Sequence, residues 1–262
     1  MQAFAYQNPS SVADAAKAAA ASGAKLVAGG QSLLGAIKLG LAAPEALVDL
    51  GQVAGLRGIT VAGGTVTIGA MTTHAEVAAS AEVQKAIPAL ADLAGHIGDR
   101  QVRNRGTIGG SLANNDPAAC YPAAVLGLGA TVVTDRRSIA ADDFFKGLYE
   151  TALAEGEVIT AVKFPVPEKA GWQKFKQPAS RFSIVGVFAS KGPAGVRVAV
   201  TGAKACVFRA SALEAKLAGN WSAATCSGVA IPADDMNSDL HGSGEYRAAL
   251  IPVLAGRAVA GS

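Results

Sequence analysis

The sequence has too few cysteines, too widely spaced, for a disulfide framework or a metal cluster. Cys120, Cys206 and Cys226 are odd in number and lie far apart. A small secreted scaffold needs an even, dense set, and iron–sulfur ligation needs closely spaced thiolates. We therefore expect a cytoplasmic protein that binds no metal cluster of its own.

No charge of one sign dominates, and long apolar runs are absent. The 23 lysines and arginines are scattered among 20 aspartates and glutamates, for a formal net charge of +3. A nucleic-acid-binding surface would gather its cations along one face, so we expect no nucleic-acid partner. No stretch of about 18 apolar residues lacks charges or glycines, so we expect no integral membrane segment. Residues 1–10 also lack the basic and apolar parts typical of a secretory signal.

Histidines and aromatic residues are scarce as well. His74, His96 and His241 have no ligand or triad partners at recognisable spacing, so we expect structural roles for them. Aromatic residues make up 5% of the 262 residues and apolar residues 50%. Aliphatic side chains must therefore build the core, in one large domain or up to three small ones.

Three zones that differ in composition and hydrophobic pattern follow one another along the chain. Residues 10–50 combine helical and strand signals into a small β–loop–α–β unit. Next come two alternating segments joined by Gly63-Gly64, which predict a hairpin, and then mixed helices and strands. Residues 165–171 have the composition of a linker, and the remainder alternates like antiparallel strands followed by helices.

Two glycine-rich segments carry the most chemical information. Ala28-Gly29-Gly30-Gln31-Ser32 follows a predicted strand, and Thr107-Ile108-Gly109-Gly110-Ser111 is predicted to be a second turn. Glycine lets the backbone approach a ligand closely and adopt positive φ, and successive exposed N–H groups suit pyrophosphate oxygens. Each segment alone is equally consistent with an ordinary tight turn. Neither matches the Rossmann fingerprint or the P-loop.

In four ordered blocks the sequence resembles the flavoprotein subunits of molybdenum hydroxylases. This family includes the medium subunit of aerobic CO dehydrogenase and the FAD domain of xanthine dehydrogenase. The blocks are AGGQSLLGAIKLGLAAPEALVDL (28–50), IGAMTTHAEVAAS (68–80), RNRGTIGGSLANNDPAA (103–119) and DLHGSGEYRAALIPVLAGRAV (239–259). They follow the family's order and cover nearly the whole chain, so a chance match is excluded.

The resemblance implies an α+β fold of the vanillyl-alcohol-oxidase (PCMH) type, in which two α/β subdomains hold FAD in the cleft between them. We expect FAD-binding subdomain 1 at residues 1–55, FAD-binding subdomain 2 at 56–170 and a C-terminal flavoprotein domain at 171–262. The last would be an antiparallel sheet with helices that covers the isoalloxazine. Covalent attachment in related folds uses His, Cys or Tyr near the first loop. Gln31 lies there instead, so we expect non-covalent FAD.

The resemblance also assigns residues to the cofactor. The two glycine segments would bracket the pyrophosphate, and a Cβ at Gly29 or Gly110 would occupy its space and forbid the required φ. Asn114 and Asp116 would reach the ribityl or phosphate region, and Ile159 would lie beside the adenine. The expected FAD-binding residues are Lys25, Leu26, Val27, Ala28, Gly29, Gly30, Gln31, Ser32, Leu33, Thr107, Ile108, Gly109, Gly110, Ser111, Asn114, Asp116, Ile159, Lys176 and Phe182.

The flavin ring is expected near the third zone. By the resemblance, Lys176 would lie at its pyrimidine edge, where a cation stabilises negative charge on reduced flavin, and Phe182 would lie over the ring. One position departs from the family, because Cys120 replaces a common aspartate that typically helps to anchor the adenosine portion. We expect Cys120 to be a small buried side chain rather than a reactive thiol.

The family divides its chemistry over three polypeptides or domains. A large subunit hydroxylates substrate at a molybdopterin-bound molybdenum, a small subunit relays electrons through [2Fe–2S] centres, and the flavin subunit passes them to an external acceptor. The resemblance implies that this chain is the electron-transfer subunit of such a complex, arranged as a dimer of heterotrimers, and contains no catalytic residue. Arg100, Arg103 and Arg105 form either a solvated basic face or a contact near the flavin or another subunit.

Two alternatives remain. A self-contained flavin oxidase of the vanillyl-alcohol-oxidase superfamily would need an acid/base pair, and the third zone shows no obvious one. The other alternative is a non-enzymatic nucleotide-binding module. The resemblance of the third zone to the family counts against it, because such a module would not need that zone.

Overall fold

The N-terminal part is a parallel three-stranded sheet, order β1-β3-β2, with two short helices. The computed structural model describes residues 3–262, so residues 1 and 2 of the expected first subdomain lie outside it. The elements are β1 (Ala5–Gln7), α1 (Val12–Ala19), β2 (Ala24–Val27), α2 (Leu33–Lys38) and β3 (Ala46–Asp49). Ser11 caps α1 by accepting a hydrogen bond from the N–H of Asp14. The predicted β–loop–α–β unit is confirmed.

The middle part is an antiparallel five-stranded sheet, order β4-β5-β10-β6-β7, that packs against helices. Its elements are β4 (Ile59–Ala62), β5 (Thr65–Gly69), α3 (His74–Ala79), α4 (Ala81–Ala86), α5 (Pro88–Gly95), α6 (Arg100–Arg105), α7 (Ile108–Asn114), α8 (Tyr121–Gly127), β6 (Thr131–Thr134), β7 (Ser138–Ala140), α9 (Ala141–Phe144), β8 (Phe145–Gly147), β9 (Glu150–Thr151) and β10 (Ile159–Pro165). The hairpin at Gly63-Gly64 is confirmed. Both glycines have positive φ, 55° and 71°, as a two-residue turn between antiparallel strands requires.

The second glycine segment is helical, so its prediction as a turn was wrong. Gly109 and Gly110 lie in the first turn of α7, and only Gly106 and Thr107 separate α7 from α6. Glycine disfavours helix by about 1 kcal/mol relative to alanine, but packing requires it at this position. A Cβ on Gly109 would lie 2.6 Å from Cβ of Ala70 and 2.8 Å from its carbonyl oxygen.

The C-terminal part is an antiparallel four-stranded sheet, order β11-β12-β13-β14, with two helices. Its elements are β11 (Lys169–Lys176), β12 (Ser183–Gly192), β13 (Gly195–Thr201), β14 (Phe208–Arg209), α10 (Ser211–Gly219) and α11 (Gly244–Ala260). The predicted linker is shorter than expected, at residues 166–168, because β10 ends at Pro165 and β11 begins at Lys169. A Cβ on Gly171 would overlap the carbonyl oxygen of Ala258, so α11 packs directly on the backbone of β11.

Two large hydrophobic cores organise the chain. One lies under the five-stranded sheet and also includes Trp172 and Phe188 of the C-terminal sheet. The other lies between the C-terminal sheet and its two helices. The first core includes residues from strands on both sides of the expected domain boundary at 170/171. That boundary and the one at 55/56 stay predictions. Within residues 3–262, no helix is both long and apolar enough to cross a membrane.

Candidate functional site

The two glycine segments lie directly against each other. A Cβ on Gly29 would overlap the carbonyl oxygen of Arg105 and lie 2.8 Å from Cα of Gly106. A Cβ on Gly110 would lie 3.5 Å from Cβ of Ala28. The structure therefore brings together the two segments expected to bracket the pyrophosphate. We expected a Cβ on Gly29 to occupy the space of the pyrophosphate. The structure corrects this, because the space beside Gly29 is filled by the protein backbone at Arg105 and Gly106.

The first segment has backbone donors free for a ligand. Gly30 has a φ of 72°, and in the described part of the chain the N–H groups of Gly30, Gln31 and Ser32 have no protein acceptor. The Gln31 side chain folds back, its Nε2 donating to the carbonyl of Gly29 at 3.1 Å. Three successive N–H groups in such a bend form a concavity that suits phosphate oxygens. Residues 25–27 belong to β2, and Leu33 begins α2.

The second segment differs, because its N–H groups are already bonded within the protein. The donor–acceptor pairs are Ile108 N to Thr72 O (3.2 Å), Gly109 N to Ala70 O (2.8 Å), Gly110 N to Thr107 Oγ1 (3.1 Å) and Ser111 N to Thr107 O (3.0 Å). The expectation of exposed N–H groups here was therefore wrong. What this segment can offer a ligand is the hydroxyl group of Ser111, which is half-buried, and that of Thr107, which is 3% exposed.

The end of α7 is fixed by a residue that the sequence analysis missed. Asn115 has a left-handed backbone (φ 43°) and is 1% exposed. Its Nδ2 donates to the carbonyl oxygens of Gly147 and Glu150, both at 2.8 Å, and so ties the β8–β9 hairpin to α7. Asparagine tolerates the left-handed region better than most residues. That tolerance was the available signal.

Its neighbours on either side are the expected ligands Asn114 and Asp116. Both are half-buried. Asp116 accepts from the N–H of Ala118 at 2.8 Å and from the hydroxyl of Tyr149 at 3.4 Å. Its carboxylate therefore orders the loop after α7. Asn114 is the last of the seven residues of α7, which places it about 9 Å along the helix from the first.

Ile159 is part of the core. Its side chain is 5% exposed, within the central strand β10. The strand is linked to the second glycine segment through Ala70, whose N–H donates to the carbonyl of Thr160 while its carbonyl accepts from Gly109. A role beside the adenine stays a prediction.

Lys176 and Phe182 flank the turn between β11 and β12. Both are exposed, Phe182 to 53%, and the turn is closed by Gln177 N donating to Phe182 O at 2.9 Å. Ser183, paired with Lys176 in the sheet, lies 3.6 Å from Sγ of Cys120. This contact places the loop after α7 beside the turn expected to border the flavin ring.

Cys120 is buried, 4% exposed, as expected. Its contact with Ser183 places it on the side of Lys176 and Phe182. The resemblance assigned the replaced acid to the adenosine portion, yet it assigned Lys176 and Phe182 to the flavin ring. Cys120 and Ser183 are neighbours in this fold, and both assignments stay predictions.

His74 supports the second segment from behind. The backbone N–H of His74 donates to the carbonyl oxygen of Gly106 at 2.9 Å. A Cβ on Gly106 would lie 2.6 Å from the ring Nε2 of His74. Burial, together with the nearby Arg103 guanidinium, lowers the pKa of His74 to about 4. The ring is thus neutral at physiological pH, in keeping with the expected structural role.

Arg103 is also structural. Its guanidinium donates to the carbonyl oxygens of Ile97 and Gly98, each at 3.0 Å, just beyond the end of α5. Arg100 and Arg105 are exposed, at the two ends of α6. The three arginines therefore divide into one internal brace and two surface cations.

These features suit a dinucleotide cofactor. The first segment offers free N–H groups, and α7 leads from the second segment to the loop that meets the β11–β12 turn. A parallel βαβ unit joined to a second α/β unit through facing glycine segments defines a flavoprotein of the FAD-binding type. The chain belongs to the family described as the FAD binding domain in molybdopterin dehydrogenase, which matches residues 2–167. It is an FAD-binding oxidoreductase subunit.

Curated relatives match over nearly the full length. The medium subunit of nicotine 6-hydroxylase from Paenarthrobacter nicotinovorans is 36% identical, over 99% of this chain and 97% of that protein. The medium chain of carbon monoxide dehydrogenase from Hydrogenophaga pseudoflava is also 36% identical, over 98% and 96%.

A solved structure shows the same fold. The carbon monoxide dehydrogenase from Hydrogenophaga pseudoflava that lacks the Mo-pyranopterin moiety of the molybdenum cofactor superposes with a TM-score of 0.90. The match covers 99% of this chain and 96% of that chain, at 36% identity. The expected α+β fold is confirmed.

Proposed function

We propose that this chain binds one FAD non-covalently and carries electrons from the [2Fe–2S] centres of a partner subunit to an external acceptor. The complex would hold its molybdenum cofactor in a third, large subunit, as a dimer of heterotrimers. Family membership and two full-length relatives that are medium subunits of a hydroxylase and a dehydrogenase support this proposal. When bound, FAD supplies the exchange of electrons.

The observation that carries the proposal is the contact between the two glycine segments. The pyrophosphate would bind the free N–H groups of Gly30, Gln31 and Ser32, with hydroxyl donors from Thr107 and Ser111 opposite. The ribityl chain would follow α7 toward Asn114 and Asp116. The ring would then lie between the loop after α7 and the β11–β12 turn, next to Lys176 and Phe182.

The first test is the purified chain itself. We expect absorption bands near about 370 and 450 nm, as for oxidised flavin, and release of the flavin into the supernatant after acid precipitation. A pellet that stays yellow would contradict non-covalent binding. A colourless native protein that does not take up added FAD would contradict the proposed function.

The second test separates an electron-transfer subunit from a flavin oxidase. After chemical reduction of its flavin with dithionite, the isolated chain should pass the electrons to artificial dyes, yet it should oxidise no organic substrate. Co-expression with its partner subunits should restore substrate oxidation. If the isolated chain oxidised an organic substrate with oxygen as the sole acceptor, it would be a self-contained oxidase.

A further inference from the structure

A lysine ammonium on the ring side of the proposed cofactor cleft is held by a backbone carbonyl oxygen and a cysteine sulfur. The Nζ of Lys174 donates to the carbonyl oxygen of His96 at 3.1 Å and to Sγ of Cys120 at 3.2 Å. An ammonium group has three N–H donors, so one remains. Among residues 3–262, no carboxylate lies within 4 Å of this Nζ.

Four elements of the fold converge on this ammonium. Lys174 lies in β11, His96 follows α5, and Cys120 precedes α8. Ser183, the first residue of β12, completes the cluster through its contact with the Cys120 thiol. Because Lys174 is half-buried and held by two partners, its charge has a defined position beside the proposed ring site.

We infer that Lys174 contacts the bound flavin through its remaining N–H and raises the flavin reduction potential, and that Cys120, in place of the family's common aspartate, leaves this ammonium without a carboxylate partner. The inference rests on the proposed function and names a determinant of the same site. A fixed cation stabilises the negative charge that reduced flavin carries, and the attraction grows as the surroundings become less aqueous. A carboxylate at position 120 would instead pair with Lys174 and cancel most of this effect.

Lys174 and Lys176 differ in their surroundings. Lys176 ends β11, is exposed, and makes no side-chain hydrogen bond within the described residues. Solvent screens an exposed, mobile cation more strongly than one that is held in place. The contribution of Lys174 to the flavin potential should therefore exceed that of Lys176.

The test is a spectroelectrochemical titration of the flavin in the FAD-loaded chain. Lys174→Met and Cys120→Asp should each shift the balance toward oxidised flavin at least tenfold, which lowers the midpoint by about 30 mV for a two-electron couple. Lys174→Arg and Cys120→Ser should stay within threefold of wild type, because neither removes the cation nor adds a carboxylate beside it. Lys169→Met, an exposed lysine at the far end of the same strand, is the matched control.

Two readouts keep this inference distinct from the proposed function. FAD content is measured first, and a wild-type chain that holds no FAD would overturn both. Wild-type FAD content with unchanged midpoints in Lys174→Met and Cys120→Asp would overturn the inference alone, as would a larger shift in Lys176→Met than in Lys174→Met. If Lys174→Met does not fold, Cys120→Asp still decides, because it replaces the thiol by a side chain of similar size.

Discussion

Gly29 lies where the two cofactor segments touch. Because its Cβ would overlap the carbonyl oxygen of Arg105, Gly29→Ala should force the segments apart and lower FAD content to below about a tenth of wild type. Gly35→Ala is the matched control, since nothing lies within 4 Å of a Cβ there. Flavin content and melting temperature should be measured together. A folded Gly29→Ala variant with full flavin content would show that the contact is not needed for binding.

The glycine segments also show which structural features paired glycines in a sequence can predict and which they cannot. Of Gly29, Gly30, Gly109 and Gly110, only Gly30 has positive φ. Paired glycines predicted a close approach of backbone, and that part is correct at Gly29. The pattern could not show whether the close neighbour is a ligand or another part of the chain, because sequence spacing carries no information about contacts between distant segments.

Glu157 supplies a pH-dependent contribution to stability. Hydrogen bonds from the Arg137 guanidinium, and further ones from the N–H of Ala154 and the hydroxyl of Thr134, lower its pKa to about 2, despite its burial. The depressed pKa means that this contribution is complete above about pH 4.5 and is lost as pH falls toward 2. Glu157→Gln should therefore lower the melting temperature at pH 7 by several degrees.

The difference between Glu157→Gln and wild type should shrink as pH falls below 4.5. Glu155→Gln, at an exposed neighbouring position, serves as the control and should match wild type at every pH. If the difference in melting temperature between Glu157→Gln and wild type stayed constant from pH 7 to pH 3, the destabilisation would come from altered packing and not from the lost carboxylate charge.

At the scale of elements, Asn115 joins the β8–β9 hairpin to α7. Asn115→Gly preserves the left-handed backbone but removes two buried hydrogen bonds, so it should lower the free energy of unfolding by about 2 kcal/mol. Asn115→Asp should cost more, because a carboxylate would face the carbonyl oxygens of Gly147 and Glu150. Urea denaturation of the FAD-free chain measures both, with exposed Asn220→Gly as the control. Equal midpoints for all four proteins would show that the hairpin is held by other contacts.

Elements with strong local signals were predictable from the sequence, and those shaped by distant packing were not. The Ser11 cap and the Gly63-Gly64 hairpin follow from residues a few positions apart. By contrast, β11 was taken in part for a linker, although it pairs with β12 over its whole length. Its sequence, KAGWQKFK, has little alternation on its own, and Gly171 is needed only because α11 packs on it.

At the scale of the whole molecule, the residues alone left the function open, and the resemblance supplied it. Two glycine segments predicted at most a phosphate site. Four ordered blocks predicted the family, and the match over residues 2–167 confirms it. Lys174 gave no signal in the sequence, because its role comes from contacts with loops distant in the chain.

Assembly with a partner subunit should depend on Arg100 and Arg105. Both are exposed at the ends of α6, and no carboxylate lies within 4 Å of either guanidinium in residues 3–262. A guanidinium fork suits the carboxylates and carbonyl oxygens of an interface. Arg181, in the β11–β12 turn, donates to the carbonyl oxygen of Gly98 at 3.4 Å, two residues before α6 begins. A partner bound at this end of α6 would therefore approach the proposed flavin ring, as electron transfer requires.

The double variant Arg100→Ala/Arg105→Ala should therefore bind the iron–sulfur subunit at least tenfold more weakly while retaining full FAD content. Each lost charged hydrogen bond is worth about 1.5 kcal/mol or more, and high salt should weaken the wild-type complex in the same way. Arg103→Ala is the contrasting variant. Because Arg103 braces the carbonyl oxygens of Ile97 and Gly98, its loss should lower the melting temperature of the isolated chain. Sedimentation of the co-expressed subunits measures assembly, and intact complexes from the double variant at high salt would place the interface on another face.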